Sequence, residues 1–147
     1  MESELRIRQA GPGDEPVIVA LVRELAATGN WHTPLTEDFA RAYLAAPGCG
    51  VLLAEKAGRA CGLLSYSVRP NLFHAGDTAL VEELVVHRAD RGGGVGHALM
   101  DAFLQAMRAR GCVEVSVSTM PDNERARHFY RAHGFDDEAL FLERHLA

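Results

Sequence analysis

The chain has 147 residues, 48% hydrophobic and 24% charged, which is the size of one globular domain with a substantial core and leaves no room for a second. A formal net charge of -5 leaves no global basic footprint and argues against duplex nucleic acid as the main partner. No run approaches the about 18 apolar residues of a membrane span, and the segment Met1 to Ile7 is charged, without the apolar stretch of a signal peptide. A soluble, cytoplasmic protein with no membrane partner is expected.

Leu5 to Arg8 predicts a short strand, closed by Gly11-Pro12-Gly13. Asp14 is placed to cap a helix from Glu15 to Ala27, with Ile18, Leu21, Val22 and Leu25 on one face. Gly29-Asn30 ends it, and Thr36 caps a second helix that runs through Leu44 to the stop at Pro47-Gly48. Gly50 to Glu55 and Ala60 to Val68 flank Lys56-Ala57-Gly58-Arg59 as a hairpin. Arg69 to Asp77 reads as a mobile loop, and Thr78 to Val86 as the next strand.

From Val95, the apolar positions Leu99, Phe103, Ala106 and Met107 recur at helical steps, with Gly111 as the C-terminal cap. Val113 to Thr119 alternates valine with Glu114, Ser116 and Ser118, the period of a strand. A short helix from Glu124 to His133 ends at Gly134, and Ala139 to Glu143 reads as a last strand. Strands and helices in this order predict an α/β domain over residues 1–147, a mixed sheet with helices against it.

Between the strand ending at Val86 and the helix opening at Val95 stands Arg91-Gly92-Gly93-Gly94-Val95-Gly96. Glycines at a strand-to-helix junction let backbone N–H groups approach a ligand at the positive end of the helix dipole, a combination that binds phosphate. A dinucleotide loop is the wrong register, because position 97 is His rather than Gly, and the acidic Glu114 lies at the start of its strand. No Gly-Lys-Ser/Thr follows, so a P-loop is absent as well.

Arg91-x-x-Gly94-x-Gly96 after Leu84-Val85-Val86, followed by Asn123-x-x-Ala126-x-x-Phe129-Tyr130-x-x-x-Gly134-Phe135, resembles the two signature segments of the GNAT superfamily of N-acetyltransferases. The resemblance implies an acyl-CoA N-acyltransferase fold with a central, V-splayed mixed sheet and helices on both faces. Acetyl-CoA as cosubstrate would lie with its pantetheine arm along the backbone of Leu84, Val85 and Val86, like an added strand. Its pyrophosphate would rest on the N–H groups of Gly92, Gly93, Gly94, Val95, Gly96 and His97. Arg91 adds charge there, and an ordinary solvated arginine is the other reading. Asn123, with Ala126, would meet the pantetheine amides, and Asn123 is equally suited to cap the helix it precedes.

Acyl transfer to an amine needs a base, because an alkylammonium has a pKa of about 10.4. Glu82 and Glu83 stand mid-strand, one expected on each face, where a carboxylate within Leu80 to Val86 is costly without a partner. One of them is the candidate base, acting through water, with Glu82 favoured. A backbone N–H near Val86 would receive the oxyanion, and Tyr130 would return a proton to the departing thiolate. No covalent acyl-enzyme is expected: Cys49, Cys61 and Cys112 stand beside apolar runs, as buried free thiols do. The seven histidines show no paired ligand spacing, so no metal is expected.

The resemblance thus implies direct transfer of acetyl, in a ternary complex, to a primary amine of a small molecule or peptide. The acidic balance favours a cationic acceptor, with Gly29 to Thr36 and Arg69 to Asp77 expected around it. Relatives of this kind include homodimers, and one is compatible here. The alternative is a non-catalytic acyl-CoA-binding sensor on the same fold, in which Glu82 and Tyr130 would be idle; a nucleotide-binding regulatory domain is a third reading.

Overall fold

The computed structural model describes residues 4–147; Met1, Glu2 and Ser3, the start of the charged N-terminal segment, lie outside the described residues. The elements follow in the order β1 (Leu5–Gln9), α1 (Glu15–Thr28), α2 (Glu37–Ala45), β2 (Cys49–Lys56), β3 (Arg59–Asn71), β4 (Gly76–Val86), a short 3-10 turn (Arg88–Asp90), α3 (Val95–Arg110), β5 (Glu114–Val117) and α4 (Glu124–Ala132). The five strands form one sheet in chain order, antiparallel except for the parallel pair β4 and β5.

Local chemistry accounts for most boundaries. The β2–β3 hairpin turns on Ala57 (φ 53°) and Gly58 (φ 73°), the positive-φ pair that matches strand twist. Thr36 Oγ1 accepts from the Phe39 N–H at 3.1 Å and Asn123 Oδ1 from the Ala126 N–H at 3.1 Å, capping α2 and α4. Gly111, at φ 84°, closes α3.

Three expectations are corrected. Asp14 does not cap α1 with its side chain; its carboxylate instead accepts from the Gly11 N–H and pairs with Arg8, both at 2.8 Å. A charge-assisted tertiary pair outcompetes the local cap there. Arg69 to Asp77 is not a loop: β3 and β4 run on through Asn71 and from Gly76, leaving a four-residue turn, because each strand supplies the other's ladder partners out to Asn71 and Gly76. Ala139 to Glu143 is not a strand, since among the described residues no neighbouring strand pairs with it; Leu140 and Leu142 are exposed.

The sheet carries a core on each face. Alternate residues Leu52, Ala54, Leu64 and Tyr66 pack under Leu99, Met100 and Phe103 of α3, while Val51, Leu53 and Leu63 pack under Ile18, Val19 and Leu21 of α1 and Ala40 of α2. Along β4 that alternation breaks. Ala79 and Val81 face α3, yet Val85, also odd-numbered, faces α1 and α2. The cause is a β-bulge at Glu82, where Ser65 pairs with Glu83 and Tyr66 with Val81.

Candidate functional site

The bulge corrects a further expectation. Glu82 follows the parity of Leu80, Glu83 follows that of Val85, and the extra residue between the two halves of the strand turns both side chains to the α1/α2 face. Both carboxylates line one cavity of about 250 Å³, walled by Ile18 and Val22 of α1, Phe39 and Tyr43 of α2, and Leu63 of β3. Thr33 and Leu35, from the segment Gly29 to Thr36, close it, whereas Arg69 to Asp77 contributes none of the lining.

The two glutamates are held differently. Ser65 Oγ donates to Glu83 Oε1 at 2.5 Å and accepts from the Glu83 N–H at 3.0 Å, which locks the carboxylate against β3. Burial pushes the Glu83 carboxyl above its ordinary range; the serine bond opposes this and the charge of Glu82 adds to it. Glu82 is more exposed and accepts from Ser67 Oγ at 2.9 Å. Tyr43 completes the polar side of the cavity, its hydroxyl donating to the Tyr66 carbonyl at 2.8 Å.

Immediately past the bulge the sheet opens. The parallel pairing of β4 with β5 ends at Val81 and Val117, so Glu82 to Val86 continue beside β3 alone. The His87 N–H donates to the Cys61 carbonyl at 2.8 Å, and by antiparallel alternation the Val86 N–H and C=O point the other way, into the gap. Arg91 Nε donates to that carbonyl at 3.1 Å. Leu84 and Val86 turn their side chains to the α3 face, where Tyr130 also packs.

The gap leads to the glycine loop. Gly92 (φ 83°) and Gly94 (φ 81°) hold left-handed conformations, and a Cβ at either would meet open space. The loop is therefore an accessible row of backbone leading into the N-terminus of the 16-residue helix α3, which fits the pyrophosphate of coenzyme A. Lys56 is a cation here that sequence reasoning missed: a Cβ built on Gly93 would stand 3.2 Å from its ammonium. Its place in a hairpin far along the chain left no local signal.

Glu24 of α1 was missed for the same reason. Its carboxylate meets His87 Nδ1 at 2.5 Å, accepts from the Arg88 N–H at 3.0 Å and lies 3.8 Å from the Arg91 guanidinium. Arg91 is thus engaged with Val86 and Glu24, which anchors the start of the loop to the first helix.

The loop also meets α4. Gly96 faces Phe129, to which a Cβ would come within 3.5 Å. His97 packs on the Phe129 ring at 4.8 Å and its Nδ1 lies 2.8 Å from His133 Nε2. Tyr130 stands edge-on to Phe129 and Phe135 at 5.4 and 5.8 Å, and burial raises its phenol pKa. Asn123 spends its carbonyl oxygen on the cap to Ala126. Among the described residues no cluster of His, Cys, Asp and Glu is arranged to hold a metal.

A mixed sheet whose two parallel strands splay beside a glycine loop at a helix N-terminus defines the acyl-CoA N-acyltransferase fold. The Acetyltransferase (GNAT) family matches residues 19–135, and the chain belongs to it. Glucosamine 6-phosphate N-acetyltransferase 1 of Oryza sativa subsp. japonica is 34% identical over 125 residues, 84% of this chain and 65% of that protein. The chain therefore spans just under two thirds of that relative's length.

Solved structures agree on the fold. AAC(6')-Iy in complex with the bisubstrate analog CoA-S-monomethyl-acetylneamine superposes with a TM-score of 0.83 at 22% identity, covering 99% of this chain and 100% of that one. The aminoglycoside acetyltransferase meta-AAC0020 from an uncultured soil metagenomic sample, in complex with sisomicin, gives 0.83 at 21%, covering 97% and 95%.

Proposed function

We propose that the chain is an acetyl-CoA-dependent N-acetyltransferase that acetylates a primary amine directly, in a ternary complex. The observation that carries this reading is the bulge at Glu82, which sets two carboxylates on the wall of one cavity exactly where the parallel strands part. Acetyl-CoA supplies the acetyl group as a thioester. Leu84, Val85 and Val86 would hold its pantetheine arm with Asn123 and Ala126, and Gly92 to His97, with Lys56, its pyrophosphate.

Within that complex Glu83 is the group that takes a proton from the acceptor ammonium, directly or through water. Its burial supports it as the base, because the raised pKa brings the carboxylate closer to the amine whose proton it takes. The Val86 N–H donates to the carbonyl oxygen as charge gathers there. Tyr130, kept protonated by its burial, gives its proton to sulfur as the new C–N bond replaces the C–S bond. Overall an ammonium and a thioester become an amide, a thiol and one proton.

Cys49, Cys61 and Cys112 are free, which supports a reducing, cytoplasmic compartment. The outer edge of β5, unpaired among the described residues, and the exposed Leu140, Phe141 and Leu142 support a homodimer. Thiol release from acetyl-CoA across a panel of amines tests the reading: amine-dependent release is expected, and tight acetyl-CoA binding without transfer to any amine would make the chain a sensor instead.

A further inference from the structure

The cavity that carries Glu82 and Glu83 is chemically one-sided. Its aliphatic and aromatic wall is formed by Ile18, Val22, Leu35, Phe39, Val51 and Leu63; of the hydroxyls of Thr33, Tyr43 and Ser65 that also line it, Tyr43 is bonded to the Tyr66 carbonyl and Ser65 to Glu83, and the lining contains no Lys, Arg or His. Arg23 and His32 line a separate depression that shares only Thr33 with it. At about 250 Å³ the cavity falls below the about 300–1,000 Å³ of sites for drug-sized ligands. Phe39, 63% exposed, belongs to its lining, and Trp31, 75% exposed, belongs to the neighbouring depression, so two aromatic side chains face solvent on this side.

We infer that the acceptor is a small monoamine whose body is apolar, an arylalkyl or alkyl amine, with its ammonium at Glu82 and Glu83 and its hydrocarbon part against the aliphatic wall. This rests on the reading of the chain as an amine acetyltransferase and narrows it. A sugar hydroxyl placed against Ile18, Val22 or Leu63 loses its water without a hydrogen-bond partner, which opposes its binding there. A phosphate meets two carboxylates and no cation in the cavity. The relative that acts on glucosamine 6-phosphate and the structural neighbour bound to sisomicin both take polar, hydroxylated amines; this cavity is built for the opposite surface.

The test compares 2-phenylethylamine and n-hexylamine with glucosamine 6-phosphate and sisomicin, by thiol release at saturating acetyl-CoA and by calorimetric binding of each amine to the protein alone. The expected result is a kcat/KM for the apolar amines at least roughly tenfold above that for either polar amine, with the same order in binding. Phe39→Ala, at an exposed position, is expected to raise KM for 2-phenylethylamine several-fold and leave that for acetyl-CoA unchanged.

Equal or better use of glucosamine 6-phosphate or sisomicin overturns the inference, as does a loss of glucosamine 6-phosphate use on Arg23→Ala, which would place the acceptor in the neighbouring depression. If no amine is acetylated, binding decides: selective binding of 2-phenylethylamine upholds the apolar site while removing the enzymatic reading, and absent or unselective binding overturns the inference.

Discussion

In the proposed mechanism Glu83 is the base, and the fold holds its carboxylate at a cost. Its folded-state pKa lies above the ordinary carboxylate value because burial disfavours the charge. The stability linked to it is fully present below the ordinary pKa and is lost as pH rises through the raised value, so the ionised form of Glu83 weakens the fold. Glu83→Gln is accordingly expected to lower kcat/KM by about 10²–10⁴ while Tm at pH 7 stays level or rises. A melting scan beside the kinetics checks both, and a fall in Tm with intact turnover would assign Glu83 a purely structural role.

Glu82 acts on its neighbour through charge. Removing that charge in Glu82→Gln lowers the Glu83 pKa, so the acidic limb of the kcat/KM profile is expected to move to lower pH; a limb that stays in place means Glu83 is not the group titrating. For Tyr130→Phe, a fall in kcat with KM for acetyl-CoA near its original value is expected, because the ring keeps its packing on Phe129 and Phe135 and only the proton is lost. Steady-state kinetics at saturating amine measure it.

At the scale of elements, two devices hold the site. One is the bulge in β4, and the other is the loop between the 3-10 turn and α3, pinned by Glu24 from α1. Glu24→Ala frees His87, Arg88 and Arg91 together and is expected to raise KM for acetyl-CoA with a smaller effect on kcat. Gly94→Ala forces a side chain into φ 81°, costing about 1–2 kcal/mol, and is expected to act in the same direction. Dissociation constants for coenzyme A, read by calorimetry, check both variants, and unchanged binding would remove the loop from the cofactor site.

The elements readable from sequence are those written locally. The hairpin at Ala57-Gly58, the caps at Thr36 and Asn123, the stop at Gly111 and the glycine loop each depend on residues within one turn, and all stand as expected. Properties set by a distant partner were hidden. Asp14 answers to Arg8 rather than to α1, the turn at 72–75 is short because β3 and β4 extend each other, and Leu140-Phe141-Leu142 has strand composition but no strand beside it. The bulge is the sharpest case. Nothing in Val81-Glu82-Glu83-Leu84 announces an extra residue opposite Ser65 and Tyr66, so strict alternation sent the two glutamates to opposite faces when they share one.

Across the whole molecule, the two faces of the sheet divide the labour. The α3 face carries Leu84, Val86 and Tyr130 along with the core under α3, while the α1/α2 face holds the cavity and its carboxylates. β4 joins them: its first half pairs with β5, and its second half, after the bulge, is left open on that side. In the proposed complex the two substrates approach this one strand from different sides, and the reacting groups meet where it parts from β5. At the sheet's edge, the proposed homodimer is expected to appear as twice the chain mass by light scattering, and Phe141→Asp to shift it toward the monomer; a monomer at all concentrations would remove the dimer from the account.

The central claim, that β4 is bulged so that Glu83 serves an amine while the strand's open side receives acetyl-CoA, is tested most directly by thiol release from acetyl-CoA with 2-phenylethylamine, wild type beside Glu83→Gln, across pH. The account predicts amine-dependent release in the wild type, with an acidic limb above the ordinary carboxylate range, and loss of about 10² or more in kcat/KM in the variant. Equal rates and identical pH profiles for the two proteins would contradict it.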